Sequence, residues 1–378
     1  MLYRNFGKTG EKVSALGFGC MRFQVEDNKQ EKIIEDLAVE QLRYAIDNGV
    51  NYIDTAYPYH SGMSEILVGK ALKDGYREKV YLATKSPSWL IKNREDLDKY
   101  LDEQLKKLDT DHIDFYLLHA LKKEYWDNYL ENDVFDFIKK AKESGKIKYI
   151  GFSFHDEYKV FEEIINSYEW DFCQIQYNFM DQDYQAGKKG LKLAASKNIG
   201  VVIMEPLRGG SLTGNVPEDI KEIWDKSTVK RTPAEWALKF LWNHPEISVV
   251  LSGMNMWEHI KENIKTASET LPESLTEYEK NLIEEVRKAY TKKIKVNCTA
   301  CQYCMPCPAG VNIPLNFSVY NNYGVYGNKE RIINQYKEMT LGKKSAEFCI
   351  ECGKCESVCP QHIEIRSKLK EIVNLVKG

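Results

Sequence analysis

The chain has 378 residues, enough for one large domain and a smaller second one. Hydrophobic residues make up 43% and charged residues 29%, an ordinary globular balance, and 53 Lys plus Arg stand against 56 Asp plus Glu. The resulting net charge of −3 gives no electrostatic reason to expect nucleic acid or an anionic membrane as partner. No apolar run approaches a membrane span. The opening Met1-Leu2-Tyr3-Arg4-Asn5 runs straight into polar sequence, with no charged stretch leading into an apolar core, so a cytoplasmic location is expected. Lys292-Lys293 and Lys343-Lys344 read as solvated faces.

Leu2–Phe6 and Val13–Leu16 flank Gly7-Lys8-Thr9-Gly10, the pattern of a hairpin closing the floor of the larger domain. From residue 15 to about 250, short β-branched or apolar runs alternate with amphipathic helical stretches. The strand candidates are Ala15–Cys20, Val50–Asp54, Val80–Lys85, Ile113–His119, Tyr149–Ser153, Cys173–Tyr177, Val201–Glu205 and Ser248–Ser252. In the third helix Leu97, Leu101, Leu105 and Leu108 form one stripe, with Asn93 placed to cap its start. Thr232-Pro233 opens another helix, with proline where a missing N–H costs nothing. Eight β–α units with apolar strands predict a parallel sheet covered by helices, and eight is the number that closes as a (β/α)8 TIM barrel. An open doubly wound sheet would want a third glycine after Gly17-Phe18-Gly19-Cys20, and none is there. Pro272 then interrupts the chain, and a polar helix from Leu275 to Tyr290 leads into the tail. The expected domains are therefore 1–290, a barrel with its linking helix, and 291–378, a small and largely helical domain. No internal repeat and no low-complexity segment stands out.

Reacting residues of such a barrel sit at the C-terminal ends of its strands. Strand two ends in Asp54-Thr55-Ala56-Tyr57-Pro58-Tyr59, strand three in Ala83-Thr84-Lys85 and strand four in Leu117-Leu118-His119. Singly these read as a cap, a surface lysine and a satisfied histidine; together, on three consecutive strands, they mark one rim. With Leu16-Gly17-Phe18-Gly19 and Ile150-Gly151-Phe152-Ser153, residues 1–265 resemble the aldo-keto reductase family. The resemblance implies a catalytic tetrad of Asp54, Tyr59, Lys85 and His119. Tyrosine is a poor acid at neutral pH, with a reference pKa of about 10, and a lysine cation beside it lowers that value toward the working range. Asp54 would hold Lys85 in place, His119 would orient the substrate carbonyl, and Tyr59 would donate the proton as hydride arrives from a nicotinamide.

The resemblance also implies nicotinamide-cofactor contacts at Gly19, Cys20 and Met21, at Ser153 and Gln174, at Met204, Pro206 and Leu207, and at Gly253, Met254, Glu262 and Asn263. Several positions depart from the family pattern. His60 stands where glycine usually follows the tyrosine, Phe154 follows Ser153 in place of asparagine, and Met204 replaces the stacking aromatic. Gly253, Met254 and His259 stand where the family grips phosphate with Lys-Ser and Arg. With no fixed cation for a 2′-phosphate, NAD(H) is expected at least as much as NADP(H). Arg22, His155 and Arg208 stand at the rim as candidates to select substrate, and Trp89 as a candidate to line the pocket. Cys20 and Cys173 read as small core-facing hydrophobes.

Eight of the ten cysteines fall in two runs, Cys298-x2-Cys301-x2-Cys304-x2-Cys307-Pro308 and Cys349-x2-Cys352-x2-Cys355-x3-Cys359-Pro360. The second matches the bacterial ferredoxin pattern and the first is one residue shorter. In two-cluster ferredoxins the cysteine before proline crosses to the other cluster. Two 4Fe–4S clusters are therefore expected, one on Cys298, Cys301, Cys304 and Cys359, the other on Cys349, Cys352, Cys355 and Cys307. Structural zinc prefers paired C-x2-C knuckles, and disulfides need an oxidising compartment.

The whole resembles an iron–sulfur branch of aldo-keto reductases. It implies an NAD(P)-dependent oxidoreductase interconverting a carbonyl compound and an alcohol, with clusters for electron transfer. Hydride carries two electrons and each cluster one, and no flavin motif is visible. Either the clusters are structural or regulatory, or a partner flavoprotein or ferredoxin works with them. The alternative is an electron-transfer adaptor whose barrel is a non-catalytic docking scaffold.

Overall fold

Each of the eight apolar runs is a strand. The computed structural model describes residues 1–214 and 216–378, with Tyr326 described by its backbone. The strands are β3 (Leu16–Gly19), β4 (Tyr52–Asp54), β5 (Tyr81–Ser86), β6 (Ile113–Leu121), β7 (Ile147–Phe154), β8 (Phe172–Gln176), β9 (Gly200–Met204) and β10 (Val249–Ser252). They pair in parallel and close as a barrel, with β10 against β3. Leading into them, β1 (Tyr3–Asn5) and β2 (Lys12–Ser14) pair antiparallel as the expected hairpin.

That hairpin delivers Phe6, fully buried, into the barrel floor. Its ring lies 4.5 Å from Phe115, 5.4 Å from Phe172 and 5.9 Å from Tyr52, the tilted arrangement aromatic quadrupoles favour. Gly17 fits the same tight interior: a Cβ there would lie 2.8 Å from side-chain carbons of Leu251 and Val249. The short G-x-G is a packing requirement of β3, as the barrel reading expects. Asn93 caps the helix Arg94–Leu108 by accepting the Asp96 N–H at 3.0 Å, and Leu97, Leu101 and Leu108 are buried beneath it.

The chain divides into two compact units, and the division is discontinuous. Met1–Pro206 with Ala234–Leu275 forms the barrel unit; Leu207–Pro233 with Thr276–Gly378 forms the other. The helix Glu277–Thr291, opened by a Thr276–Glu279 capping box, thus groups with the cysteine tail, as does the segment after β9. Within this second unit Lys226 pairs with Glu285 at 2.7 Å, Lys293 with Asp219 at 3.0 Å, and Arg231 with Glu279. The tail's own core is Val311, Phe317, Ile332, Tyr336, Leu369 and Ile372, carried largely by the helices Ile313–Tyr326, Lys329–Leu341 and Ile365–Lys377.

Against the expectation from sequence, the tail contains a repeat. Two residues after Cys298 and Cys349, Ala300 (φ 54°) and Glu351 (φ 56°) are left-handed, and each donates its N–H to that cysteine's Sγ at 3.4 Å. Two residues further, Gln302 (φ 68°) and Gly353 (φ 75°) are left-handed again. Three residues after Cys307 and Cys359 come Gly310 (φ 78°) and His362 (φ 48°), and the following helices start at Ile313 and Ile365. The matching residues differ in type, so the repeat is one of backbone.

Candidate active site and cysteine centre

Asp54 ends β4, Lys85 lies near the end of β5 and His119 near the end of β6, so neighbouring strands place the three side by side. Lys85 Nζ donates to Asp54 Oδ1 at 2.7 Å, to Asp54 Oδ2 at 2.8 Å and to the Thr55 carbonyl at 2.7 Å. Lys85 is fully buried and Asp54 and His119 are each 2% exposed. Burial pushes Lys85 down and Asp54 up, and each partner's charge pushes back. Three contacts to acceptors match the three donors of an ammonium, whereas a neutral amine would turn its lone pair toward an oxygen. Lys85 is therefore the cation and Asp54 its counter-ion.

Tyr59 comes next along the chain, in the turn Tyr59–Gly62. Lys85 Nζ stands 5.0 Å from the centre of its ring, and the His119 ring lies 6.1 Å away, edge to face. Burial pushes His119 well below its usual range, and the Lys85 cation and then His155 push it further. His119 is thus a neutral imidazole at neutral pH, able to hydrogen-bond a carbonyl but not to protonate it. The Trp89 ring lies 5.3 Å from His119.

Of the cofactor candidates, Ser153 in β7 is in register with Gln174 in β8, and Met204 ends β9. Ser153 Oγ accepts the Ala120 N–H at 2.7 Å, and Gln174 Nε2 lies 3.6 Å from Met204 Sδ. Gln174 Oε1 is buried and has no hydrogen-bond partner among the described residues, a cost a folded chain seldom leaves standing. A carboxamide N–H would satisfy it, so these residues fit a nicotinamide. Cys20 serves through its backbone: its N–H donates to Asp54 O at 2.8 Å and its carbonyl accepts from Ser64 Oγ at 2.8 Å, while burial pushes its thiol well up. Gly19 ends β3, with Met21 just beyond Cys20. Past β10, Asn263 Nδ2 donates to Ser252 Oγ at 3.1 Å, and Met254 is buried. Glu262 precedes Asn263 in the helix Trp257–Glu269. Pro206 closes the first stretch of the barrel unit, and Leu207 opens the other unit.

The rim residues separate. A Cβ on Gly253 would meet the Arg22 side chain at 3.1–3.2 Å, so Arg22 lies along that glycine. Its Nη2 is 3.8 Å from Glu205 Oε1. His155 faces Gln185 Oε1 through Nδ1 at 3.2 Å. Arg208 is 3% exposed, and its Nη2 donates to Asn297 Oδ1 at 3.0 Å, one residue before Cys298.

Two features behind these residues go beyond the sequence reading, which missed the first and noted the second only as a departure from the family pattern. Glu65, fully buried, accepts from Thr84 Oγ1 at 2.7 Å and from Gln104 Nε2, which also donates to the Lys85 carbonyl at 3.0 Å. Tyr116 OH completes the network on Gln104 Oε1 at 2.8 Å. The signal was there: a carboxylate at an otherwise apolar face of the helix Ser64–Ala71. His60, next to Tyr59, is left-handed at φ 53° and 4% exposed. Its Nε2 accepts the Phe23 N–H at 3.1 Å, and Nδ1 donates to the Gln30 carbonyl at 3.1 Å. A glycine would take that φ without strain; the histidine takes it while tying down residues 23–30.

In the tail, burial pushes the Cys304 thiol up, and the adjacent thiols of Cys301, Cys298, Cys359 and Cys355 push it further. The Cys359 thiol thus stands within the field of the first run. Burial pushes Cys355 up to about 11, with Glu356 and Cys349 adding to it. The N–H···S bonds repeated in both runs are the kind that tune a 4Fe–4S cluster, so these residues fit such a group.

Barrel, rim and tail together define an oxidoreductase barrel joined to a ferredoxin-type domain. The model of the aldo/keto reductase family matches residues 15–288, and that of the 4Fe-4S dicluster domain matches residues 297–364. The chain belongs to the aldo/keto reductase family. It is 28% identical to probable aldo-keto reductase 1 of Glycine max, over 71% of this chain and 84% of that one. It is also 28% identical to the uncharacterized oxidoreductase YqkF of Bacillus subtilis, over 71% and 92%. Among solved structures, aldo-keto reductase AKR11C1 from Bacillus halodurans in its holo form matches with TM-score 0.62 and 26% identity, over 76% of this chain and 96% of that one. The thermostable aldo-keto reductase Tm1743, solved with the inhibitor epalrestat, matches with TM-score 0.62 and 30% identity, over 76% and 100%.

Proposed function

We propose that this oxidoreductase interconverts a carbonyl compound and an alcohol using NAD(H) or NADP(H), and that its tail holds two 4Fe–4S clusters. The observation that carries the reading is the fully buried Lys85–Asp54 pair beneath the Tyr59 ring, with neutral His119 alongside. A bound nicotinamide supplies or accepts hydride at the carbonyl carbon. Tyr59 OH passes the proton to the carbonyl oxygen, or takes it back in the reverse direction. The Lys85 cation favours the phenolate left behind, and Asp54 with Thr55 O fixes that cation so that no reorganisation is needed as charge develops. His119 donates a hydrogen bond that orients the carbonyl. Ser153 and Gln174 would hold the carboxamide, with Met204 packing beside it. In the tail, Cys298, Cys301, Cys304 and Cys359 would ligate one cluster, and Cys349, Cys352, Cys355 and Cys307 the other.

Tyr59→Phe keeps the ring and removes the proton. Nicotinamide binding is expected to survive while turnover on aldehydes falls about 100-fold or more, the usual range for a lost general acid. Unchanged carbonyl reduction in that variant would place the chemistry elsewhere.

A further inference from the structure

The two halves of the tail repeat share a backbone but differ in exposure. At the position after the first cysteine, Thr299 is 1% exposed in the first run, whereas Ile350 is 66% exposed in the second. Two positions further, Cys301 is half-buried and Cys352 exposed. Two beyond that, Tyr303 is half-buried and Lys354 exposed. Near the end of the second run Val358 is 43% exposed. A polar residue is thus covered in one run, and a large aliphatic one faces solvent at its counterpart.

Charge distinguishes the runs as well: residues 298–307 hold no charged residue, whereas residues 349–359 hold Glu351, Lys354 and Glu356. From residue 292 onward the sequence has eleven lysines and two arginines against seven glutamates and no aspartate. Of the acids around the second run, Glu351 is paired with Lys370 at 2.7 Å, Glu356 with Arg366 at 2.7 Å and Glu347 with Lys377 at 2.6 Å, while Glu364 beyond it is exposed. Lys343, Lys344 and Lys354 are exposed and form no ion pair among the described residues. Ile350 and Val358, both exposed in the second run, with the spare cation Lys354 between them in sequence, match the pattern of interface contact with a steering charge.

We infer that the second cysteine run is the docking face for a separate, acidic, ferredoxin-type electron carrier. The inference rests on the reading that the tail holds clusters. One electron leaves the reduced carrier, oxidising it by one, and reduces the cluster on Cys349, Cys352, Cys355 and Cys307 by one. No bond or proton moves. Lys354 speeds encounter, and Ile350 supplies the contact that excludes water.

The test is anaerobic stopped-flow reduction of the full-length protein. The electron donors are an acidic two-cluster ferredoxin, pre-reduced, and the small methyl viologen radical. Ile350→Ser and Lys354→Glu are each expected to slow ferredoxin-driven bleaching of the clusters about tenfold or more. The viologen-driven rate and the iron content should stay as in the unaltered protein. Added salt should slow the ferredoxin reaction of the unaltered protein far more than that of Lys354→Glu. Equal rates with ferredoxin in all three proteins, or an unaltered protein that ferredoxin does not reduce, would overturn the docking face while iron content still upheld the clusters. A protein prepared anaerobically without iron would overturn the cluster reading and the docking face with it.

Discussion

In the barrel, Lys85 is held by three oxygens of Asp54 and Thr55, and behind them Glu65, Thr84 and Gln104 hold one another. In the tail, the Cys298 and Cys349 thiols are held by the N–H groups two residues along their own loops. One site is assembled from side chains far apart in sequence, each answering to another. The other is assembled from local backbone, and tolerates Ala300 or Glu351, Gln302 or Gly353, at matching places. A single change should therefore damage the two by different routes, and four experiments separate them.

The largest effect should come from Cys359→Ala. If Cys359 closes the cluster of the first run, one lost thiolate reaches both runs at once. Iron should fall from about eight atoms per chain to about four or fewer. The tail's helical signal should melt early while the barrel's transition stays in place, because ligand binding and folding are coupled. Iron retained in full would break the crossed ligation.

Asp54→Ala tests the opposite design, in which the damage is to a buried charge. Stripped of its counter-ion, Lys85 is left as an uncompensated buried cation, and removing one partner of such a pair costs about 3–5 kcal/mol. Denaturant melts should show that loss in the barrel transition, with iron content unchanged. A loss below about 1 kcal/mol, the value of an exposed pair, would mean that solvent reaches the site.

The barrel's architecture was readable because strands announce themselves. All eight runs lie where β-branched and aromatic residues cluster, and Asp54, Lys85 and His119 lie at or near the ends of three of them, with Tyr59 in the turn just beyond. The network behind Lys85 was hidden because Glu65, Gln104 and Tyr116 are polar residues in ordinary helix and strand positions, and only tertiary closure makes them one group. The tail shows the converse. Its cysteine spacing is legible at sight, yet its repeat is invisible, because matching left-handed positions carry alanine, glutamate, glutamine, glycine and histidine. Arg208, expected to face substrate from the rim, is buried against Asn297 because the segment after β9 packs with the tail.

A smaller effect concerns the cofactor. Arg22 lies along Gly253, so it can return to the barrel the cation that Gly253, Met254 and His259 do not supply. Arg22→Ala is expected to weaken NADH and NADPH alike about tenfold by calorimetry, about 1.4 kcal/mol. The unaltered protein should bind NADH at least as tightly as NADPH. Loss of NADPH binding alone would identify Arg22 as the 2′-phosphate contact.

The smallest is His60. Burial pushes it down, so its folded value lies below the ordinary value near 6.5. Its contribution is fully present above that value and is lost as pH falls through the lowered folded value, when Nε2 can no longer accept the Phe23 N–H. His60→Gln keeps a donor and an acceptor without titrating. Between pH 7.5 and 5 the unaltered barrel should lose more stability than the variant, read from melting curves. Parallel curves would mean that the imidazole stays neutral throughout.

The discontinuity of the second unit bears on how the chain is made. Leu207–Pro233 leaves the ribosome well before Thr276–Gly378. At about 5–20 residues per second, the last of its partners emerges on the order of ten seconds later. Through that interval Leu212, Val216, Ile220 and Trp224, all buried in the finished protein, have no core to enter. The nascent barrel thus carries an apolar flap until the rest of its unit, from Thr276 onward, has emerged. A ribosome that stalls before Thr276 would be expected to leave a barrel captured by chaperones through this segment.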